Sequence, residues 1–226
     1  AASHNSGARI VHCCGFDSIP SDLGVYFLQQ ETKARFGTHC SEIKMGVKAI
    51  KGGMSGGTVA SLFNVVKEAS ANPALRKELS NPYSLCPEGH AYKARQRNVS
   101  FATFDKDFNR WLAPFIMAAV NIRVVHRSNA LSENAYGTDF LYDEAMLMKG
   151  RVAATIASLA IGGFMLAAAL PPTRYILERF IVPKPGEGPS PEEQRAGFYD
   201  LRFIGKTGDG QSLTVKVTGD RDPGYG

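Results

Sequence analysis

The chain has 226 residues, of which 44% are apolar and 21% charged, a composition typical of a globular protein and not of a disordered one. This length suffices for one hydrophobic core, or for one domain with a small satellite. The net charge of +5 is spread thinly. Its densest cluster, residues 93–97, has three charges and no interleaved aromatic residues, so nucleic-acid binding is not expected. The cluster is either a solvated face or a contact for a ligand phosphate or carboxylate.

The four cysteines, Cys13, Cys14, Cys40 and Cys86, form no CxxC pair and no Cys/His array with zinc spacing. We therefore predict no metal site. Cys13 and Cys14 end a predicted strand and are interpreted as small buried hydrophobic residues on its opposite faces. No signal peptide opens the sequence, so a reducing, cytoplasmic setting is expected.

A strand, a polar turn and a helix are predicted near the start of the chain. Residues 9–14 are β-branched and apolar, residues 15–22 form the turn, and the helix extends to residue 36, with Pro20 suited to its first turn. Such a unit presents backbone N–H groups and short polar side chains to a ligand. Asp17 and Ser18 are interpreted either as ligand contacts or as helix caps. His12 is a core or cleft-lining residue of the strand.

A second strand, a glycine-rich loop and a second helix are predicted to follow. Residues 42–50 alternate, with Ile43, Met45 and Val47 on one face, and the helix covers residues 59–71 until Asn72-Pro73 ends it. Residues 52–58 imitate the frame of a phosphate-binding loop but lack its lysine, so nucleoside triphosphate binding is not expected. The loop either holds a carboxylate or acyl carbonyl through backbone N–H groups or is a flexible turn.

The middle and the end of the chain give five weaker predictions. We expect short strands at residues 99–104 and 136–142, a core-facing helix at 111–125, a loop at 184–193, and a hairpin of residues 198–205 and 212–217. In the second hairpin strand, Leu213, Val215 and Val217 share the buried face. Arg123, His126 and Arg127 follow the apolar helix and either favour its C-terminal dipole or anchor an acidic substrate.

Residues 152–170 form an apolar run that is just long enough to cross a bilayer. Alanine and glycine outnumber leucine and isoleucine there, which weakens the signal for membrane insertion. Three interpretations stay open. The run is a helix buried in the protein or at an oligomer interface, a contact with a membrane or lipid surface, or a transmembrane span.

The segment CGFDSIPSDLG at residues 14–24 resembles the saccharopine dehydrogenase-like oxidoreductases, and in particular their bacterial trans-acting enoyl reductase branch. Three further segments agree in the same order: GGTVAS at 56–61, residues 113–131 with NIRVV at 121–125, and residues 136–144 with YDE at 142–144. The resemblance covers most of the chain.

The resemblance implies an α/β (α+β) fold with a mixed β-sheet and flanking helices, like the C-terminal domain of a saccharopine dehydrogenase. In that family an N-terminal Rossmann domain binds NAD(P), but no GxGxxG motif follows a strand in this sequence. We therefore expect residues 1–226 to be a single, truncated substrate and association domain. Residues 8–22 would lead out of the missing Rossmann domain, and residues 150–182 would form an apolar helical region. NADP or NAD would bind the full-length protein and not this fragment tightly.

The resemblance also implies the site residues and partners. Cofactor contacts are expected from Gly15, Phe16, Asp17 and Ser18, and substrate contacts from Asp22, Gly56, Gly57, Thr58, Ser61 and Arg123. The weak candidates for a catalytic acid are Asp17, Ser18 and Tyr136. The implied activity is the reduction of an unsaturated acyl thioester or lipid-type substrate by a homodimer in the cytoplasm, with peripheral membrane contact through residues 152–170. The alternative is a non-catalytic lipid-surface or oligomerisation module of the same fold.

Overall fold

A six-stranded mixed sheet organises the computed structural model, which describes residues 5–9, 13–53, 55–184 and 186–225. The strand order is β2-β3-β4-β1-β5-β6, in which only β1 and β4 are parallel neighbours. The expectation of an α/β fold with a mixed sheet and flanking helices is confirmed. The strands are β1 (Cys40–Lys51), β2 (Thr103–Asp105), β3 (Arg110–Pro114), β4 (Leu141–Met148), β5 (Phe198–Thr207) and β6 (Ser212–Gly219).

The helices occupy the segments between these strands. They are α1 (Ile19–Phe36), α2 (Gly56–Ala71), α3 (Pro73–Ser80), α4 (Ala118–Leu131), α5 (Arg151–Ala169), α6 (Pro171–Ile176), a π-helical turn (Leu177–Ile181) and α7 (Pro191–Arg195). Helix α1 packs against β5, β6 and α4, and α4 packs against β4. Helix α5 contacts β3 with its first half and α2 with its second. Two apolar clusters result, a main core under α1 and α4 and a smaller one between α2 and α5.

The strand that the alternating sequence predicts at residues 42–50 is confirmed as β1, which lies inside the sheet between β4 and β5. Ile43, Met45 and Val47 are fully buried, while Lys48 on the opposite face is exposed. The C-terminal hairpin is confirmed as β5 and β6, and the helix predicted at residues 59–71 is confirmed with its first residue at Gly56. Asn72 ends that helix and also caps α3, a short helix that the sequence analysis missed.

The helix predicted at residues 111–125 is wrong in its first part. Trp111 and Leu112 lie in β3, opposite Met148 and Leu147 of β4, and α4 begins only at Ala118. A continuous apolar run does not distinguish a buried strand from a helix, and Pro114 favours a break between the two.

Three other predicted segments need correction. The strand predicted at 99–104 is the three-residue β2, which begins at Thr103. The strand predicted at 136–142 begins only at Leu141 and continues through Asp143 and Glu144. Parallel pairing places Asp143 beside Lys44 of β1, so the carboxylate lies near a cation inside the sheet. The loop at 184–193 contains the start of α7, for which Ser190 and Glu193 form a capping box.

Half of the strand predicted at residues 9–14 cannot be compared, because residues 10–12, including His12, lie outside the described residues. Cys13 and Cys14 are described and form a bend, in which Cys13 has a φ of 59°. Cys14 is exposed, so its interpretation as a buried hydrophobic residue is wrong. A bend does not direct successive side chains into two packed faces as a strand does.

Candidate functional site

A cavity of about 420 Å³ lies beside the predicted turn. We call it the turn pocket. The bend and the start of α1 form one wall, and β5 with the segment after β6 forms the other. Phe16 contacts Tyr199 across it, with ring centroids 4.9 Å apart. Its lining residues are Cys14, Gly15, Phe16, Ile19, Pro20, Tyr199, Gly219, Asp220, Arg221, Asp222 and Pro223.

Backbone groups of the turn are hydrogen-bonded to one another. The Gly15 carbonyl accepts hydrogen bonds from the N–H groups of Ser18 (3.3 Å) and Ile19 (3.0 Å), and Pro20 has no N–H to offer. The N–H groups of Ser18 and Ile19 are therefore used locally, which leaves fewer N–H groups at this end of the helix for a phosphate. A Cβ added at Gly15 would meet only Asp17 Oδ2, at 3.9 Å, so the pocket side of this residue is open.

A buried hydrogen-bond network lies directly behind the turn pocket. Ser18 Oγ donates to Asn121 Oδ1 (3.0 Å), and Asn121 Nδ2 donates to Ser21 Oγ (3.1 Å) and to Glu144 Oε2 (2.8 Å). The hydroxyl of Tyr142 donates to Glu144 Oε1 (2.6 Å). The network joins α1, α4 and β4. Ser18 is the N-cap residue of α1, but its hydroxyl is bonded to Asn121 and does not cap the helix.

Burial dominates the electrostatics of this network. Burial raises the pKa of Glu144 to about 7, although the hydrogen bonds with Tyr142, Asn121 and Ser21 lower this pKa in part. Burial also raises the pKa of Asp22, whose Oδ2 accepts a hydrogen bond from Ser128 Oγ (2.8 Å). Glu144 was missed as a site residue, although it belongs to a segment that carries the resemblance. Only its inward-facing position in a strand distinguishes it.

The glycine-rich loop reaches the turn pocket through the segment after β6. Asp222 Oδ2 accepts a hydrogen bond from the Gly53 N–H (2.8 Å), and a Cβ at Gly52 would come within 2.4 Å of Pro223 Cδ. Asp222 is itself buried and lines the turn pocket. The two loops that the sequence analysis selected therefore contact one common segment.

The remaining residues of the second loop lie at the start of α2. Gly56 is buried, donates its N–H to the Glu187 carbonyl (3.0 Å), and lines a second cavity of about 400 Å³ between α2 and residues 174–184. Gly57, Thr58 and Ser61 are exposed on the first two turns of the helix. Ser55 caps α2 by accepting from the Thr58 N–H (3.0 Å).

The basic residues of α4 do not lie at its end, because the helix continues to Leu131. The interpretation that they favour the C-terminal dipole is therefore wrong. Arg123 donates to the carbonyls of Leu79, Asn81 and Ala119, and burial lowers the pKa of its guanidinium. The hydrogen bonds of Arg123 to Leu79 and Asn81 thus tie α4 to the end of α3 and to the residue after it.

His126 and Tyr136 belong to the core. His126 packs among Tyr83, Tyr92 and Phe140, and burial lowers its pKa to about 4, so the ring is neutral. Burial raises the pKa of Tyr136 to about 12, with further contributions from nearby acidic groups. A phenol with that pKa is a weak acid at neutral pH. Asp17 is exposed in the turn.

Comparison with known proteins gives one consistent set of relatives. The chain is 38% identical to a putative trans-acting enoyl reductase of Mycobacterium tuberculosis, over 98% of this chain and 56% of that protein. It is 34% identical to a trans-acting enoyl reductase of Mycobacterium bovis (96% and 53%) and 33% identical to one of Mycobacterium ulcerans (86% and 50%). No protein-family model and no solved structure matches the chain. The chain therefore has homologues named trans-acting enoyl reductase, and it spans about half of their length.

Proposed function

We propose that this chain is the substrate-binding and association part of an NAD(P)H-dependent enoyl reductase that acts on an α,β-unsaturated acyl thioester. The observation that carries the proposal is the 38% identity, over 98% of this chain, to a relative that bears the enoyl reductase name. The relatives are nearly twice as long, which leaves room for a Rossmann-type nucleotide-binding domain of the saccharopine dehydrogenase-like kind. In this proposal the turn pocket faces that domain.

The turn pocket suits the flat ring end of a nicotinamide cofactor better than its pyrophosphate. Phe16 and Tyr199 offer aromatic surface, and the pocket side of Gly15 is open. The N–H groups of Ser18 and Ile19 are already hydrogen-bonded to the Gly15 carbonyl and Pro20 has none, so this helix start offers few N–H groups to a pyrophosphate. The phosphates would then be held by the rest of the relatives' length, and this chain alone would bind NADPH or NADH weakly.

The roles of this chain's residues are to hold and orient the reacting groups. A reduced nicotinamide, when bound, supplies the hydride that an enoyl thioester accepts at its β-carbon, and the α-carbon then takes a proton. Phe16 would pack against the ring, and Ser18 would fix the turn through its hydrogen bond to Asn121. The loop at residues 52–58 would border the substrate, because it contacts the segment that lines the turn pocket.

Titration of NADPH and NADH, followed by nicotinamide fluorescence, tests the proposal. The chain extended at its N-terminus to the length of its relatives is expected to bind one of the two cofactors, and the chain alone is expected to bind neither tightly. In the extended protein, Phe16→Ala should weaken binding by about threefold to tenfold, the worth of one aromatic packing contact. Phe101→Ala removes an exposed phenylalanine outside the turn pocket and should leave binding unchanged.

Absence of nicotinamide binding in the extended protein would overturn the proposal. It would favour the alternative, a non-catalytic module of the same fold that works through its lipid-facing or self-associating surface. The observation behind this alternative is the exposed apolar surface of α5. Equal effects of Phe16→Ala and Phe101→Ala would mean that the protein is a reductase whose cofactor binds outside the turn pocket.

A further inference from the structure

Helix α5 is apolar on both of its faces. The inward stripe includes Ala154, Ser158 and Ala168, which are buried. The opposite stripe faces solvent and repeats at the same helical spacing, with Val152, Ile156, Leu159 and Leu166 each between 61% and 73% exposed. A helix at the surface of a water-soluble protein has a polar outer face. The outer stripe of α5 is therefore unusual for a surface in contact with water.

The exposed apolar surface continues beyond α5 into the next two helical segments. All of the added side chains are large, and their exposure is between 47% and 74%. We call the whole set the apolar outer face. Its members are Val152, Ile156, Leu159, Leu166, Leu170, Tyr175, Ile176, Phe180 and Ile181.

The sheet topology decides how this face can meet a membrane. By length and composition α5 is able to cross a bilayer, and it is the one such helix among the described residues. However, β4 precedes α5 and β5 follows it, and both strands pair with β1 in the same sheet. A span by α5 alone would put β4 and β5 on opposite sides of the membrane. The helix can therefore lie on a membrane surface but cannot cross it in this fold.

The charges around the apolar outer face have one dominant sign. Residues 149–184 contain one acidic side chain, Glu178, and five basic ones, which are Lys149, Arg151, Arg174, Arg179 and Lys184. Arg174 and Lys184 also line the second cavity, together with Lys67 from α2. Basic residues at both ends of an apolar helical face are the pattern of interfacial helices that bind anionic lipid.

We propose that the apolar outer face docks on the surface of an anionic phospholipid bilayer, with α5 parallel to the membrane plane. A second copy of the chain fits this face less well. Two-fold pairing along α5 would bring the basic ends of one copy against those of the other, in either helix orientation. This docking can be tested independently of the proposed reductase activity, since vesicle binding is measured without cofactor or substrate.

Vesicle flotation tests this docking directly. The chain is expected to float with vesicles of phosphatidylcholine and phosphatidylglycerol, and much less with phosphatidylcholine alone. Leu159→Glu should abolish flotation, because it puts a charge in the centre of the docked face. The matched control is Leu131→Glu at the end of α4. Leu131 is 61% exposed, the same as Leu159, but lies outside the apolar outer face, so this variant should float like the wild type.

The basic residues provide a second arm of the test. Lys149→Gln and Arg179→Gln should each weaken binding to anionic vesicles by about fivefold, and added salt should reduce the difference. Failure of the wild type to float, or equal losses with Leu159→Glu and Leu131→Glu, would overturn the proposal. So would a dimer in sedimentation velocity that Leu159→Glu dissociates, because the face would then be a contact between copies.

Discussion

Glu144 is the residue whose surroundings depart most from those of a solvated carboxylate. It is 2% exposed, and its oxygens accept hydrogen bonds from Tyr142 and Asn121 but form no ion pair with any of the described residues. Burial without a counter-ion disfavours the charged form, which is why its pKa rises from 4.5 to about 7. Because Glu144 is protonated in the folded state below about pH 7, the stability of the folded protein depends on the pH of the solution.

This linkage predicts that the contribution of Glu144 to stability decreases as pH rises toward 7. Between the unfolded pKa and the raised folded pKa, the folded state binds a proton that the unfolded state does not. The contribution of Glu144 to the free energy of unfolding therefore falls with rising pH, by about 1.4 kcal/mol per pH unit at most, and levels off above pH 7. Asp143, whose pKa burial raises to about 6, acts in the same direction at lower pH, whereas His126, whose pKa burial lowers to about 4, acts in the opposite direction. Glu144→Gln should therefore make the slope of the free energy of unfolding against pH more positive than in the wild type between about pH 4.5 and pH 7.

Urea unfolding at closely spaced pH values measures this effect. Glu88→Gln is the control, because Glu88 is exposed and its replacement should leave the pH dependence as in the wild type. An unchanged slope between pH 6 and pH 7 in Glu144→Gln would mean that Glu144 is ionised in the folded protein.

Helix α1 is positioned by a close approach to the sheet. A Cβ added at Gly24 would lie 2.4 Å from Phe203 Cζ, and Phe203 is fully buried in β5. Glycine at this position lets α1 lie flat on the hairpin and so fixes the start of the helix, where the turn pocket begins. The geometry of the pocket thus depends on a contact two turns away.

Gly24→Ala is expected to destabilise the protein by about 1–3 kcal/mol, because the added methyl group overpacks a filled core. Gly162→Ala in α5 is the matched control, since nothing lies within 4 Å of its added Cβ. It should leave the stability unchanged or raise it by up to about 1 kcal/mol. Thermal unfolding of both variants makes the comparison. Equal melting temperatures would show that α1 shifts to accept the methyl group.

The elements that the sequence predicted are those with a clear local pattern. Alternation identified β1 and the β5–β6 hairpin, and Asn72-Pro73 identified the end of α2. Strand β3 has no such period, and its pairing with β4 comes from residues more than thirty positions away. The same is true of the site. The turn at Gly15 is visible in the sequence, but Glu144 gains its character from Ser21 and Asn121, which only the fold brings together.

At the scale of the whole molecule, the described residues form two apolar clusters. The main core lies beneath α1 and α4, whereas the smaller one joins α2, the second half of α5 and the π-helical turn. Phe63 belongs to the smaller cluster, where it contacts Phe164 with ring centroids 6.0 Å apart. The second half of α5 and the π-helical turn, which hold part of the apolar outer face, thus depend on few buried side chains.

Phe63→Ala should therefore loosen one part of the molecule and not the other. We expect faster amide hydrogen exchange in α2 and the second half of α5, with exchange in β1 and β4 unchanged, because local openings follow separate packing units. Val65→Ala changes an exposed side chain of the same helix and should have little effect. Faster exchange throughout the sheet in Phe63→Ala would mean that the two clusters unfold together.

The bond between Asp222 and Gly53 has a consequence for how the protein is made. The two residues are 169 positions apart, and the N-terminal part of a chain leaves the ribosome first. Helix α1 and strand β1 leave the ribosome early, but the glycine loop gains this contact only when residue 222 has been translated and has cleared the exit tunnel. During synthesis the loop beside the turn pocket therefore cannot take its final shape until the segment after β6 has been made.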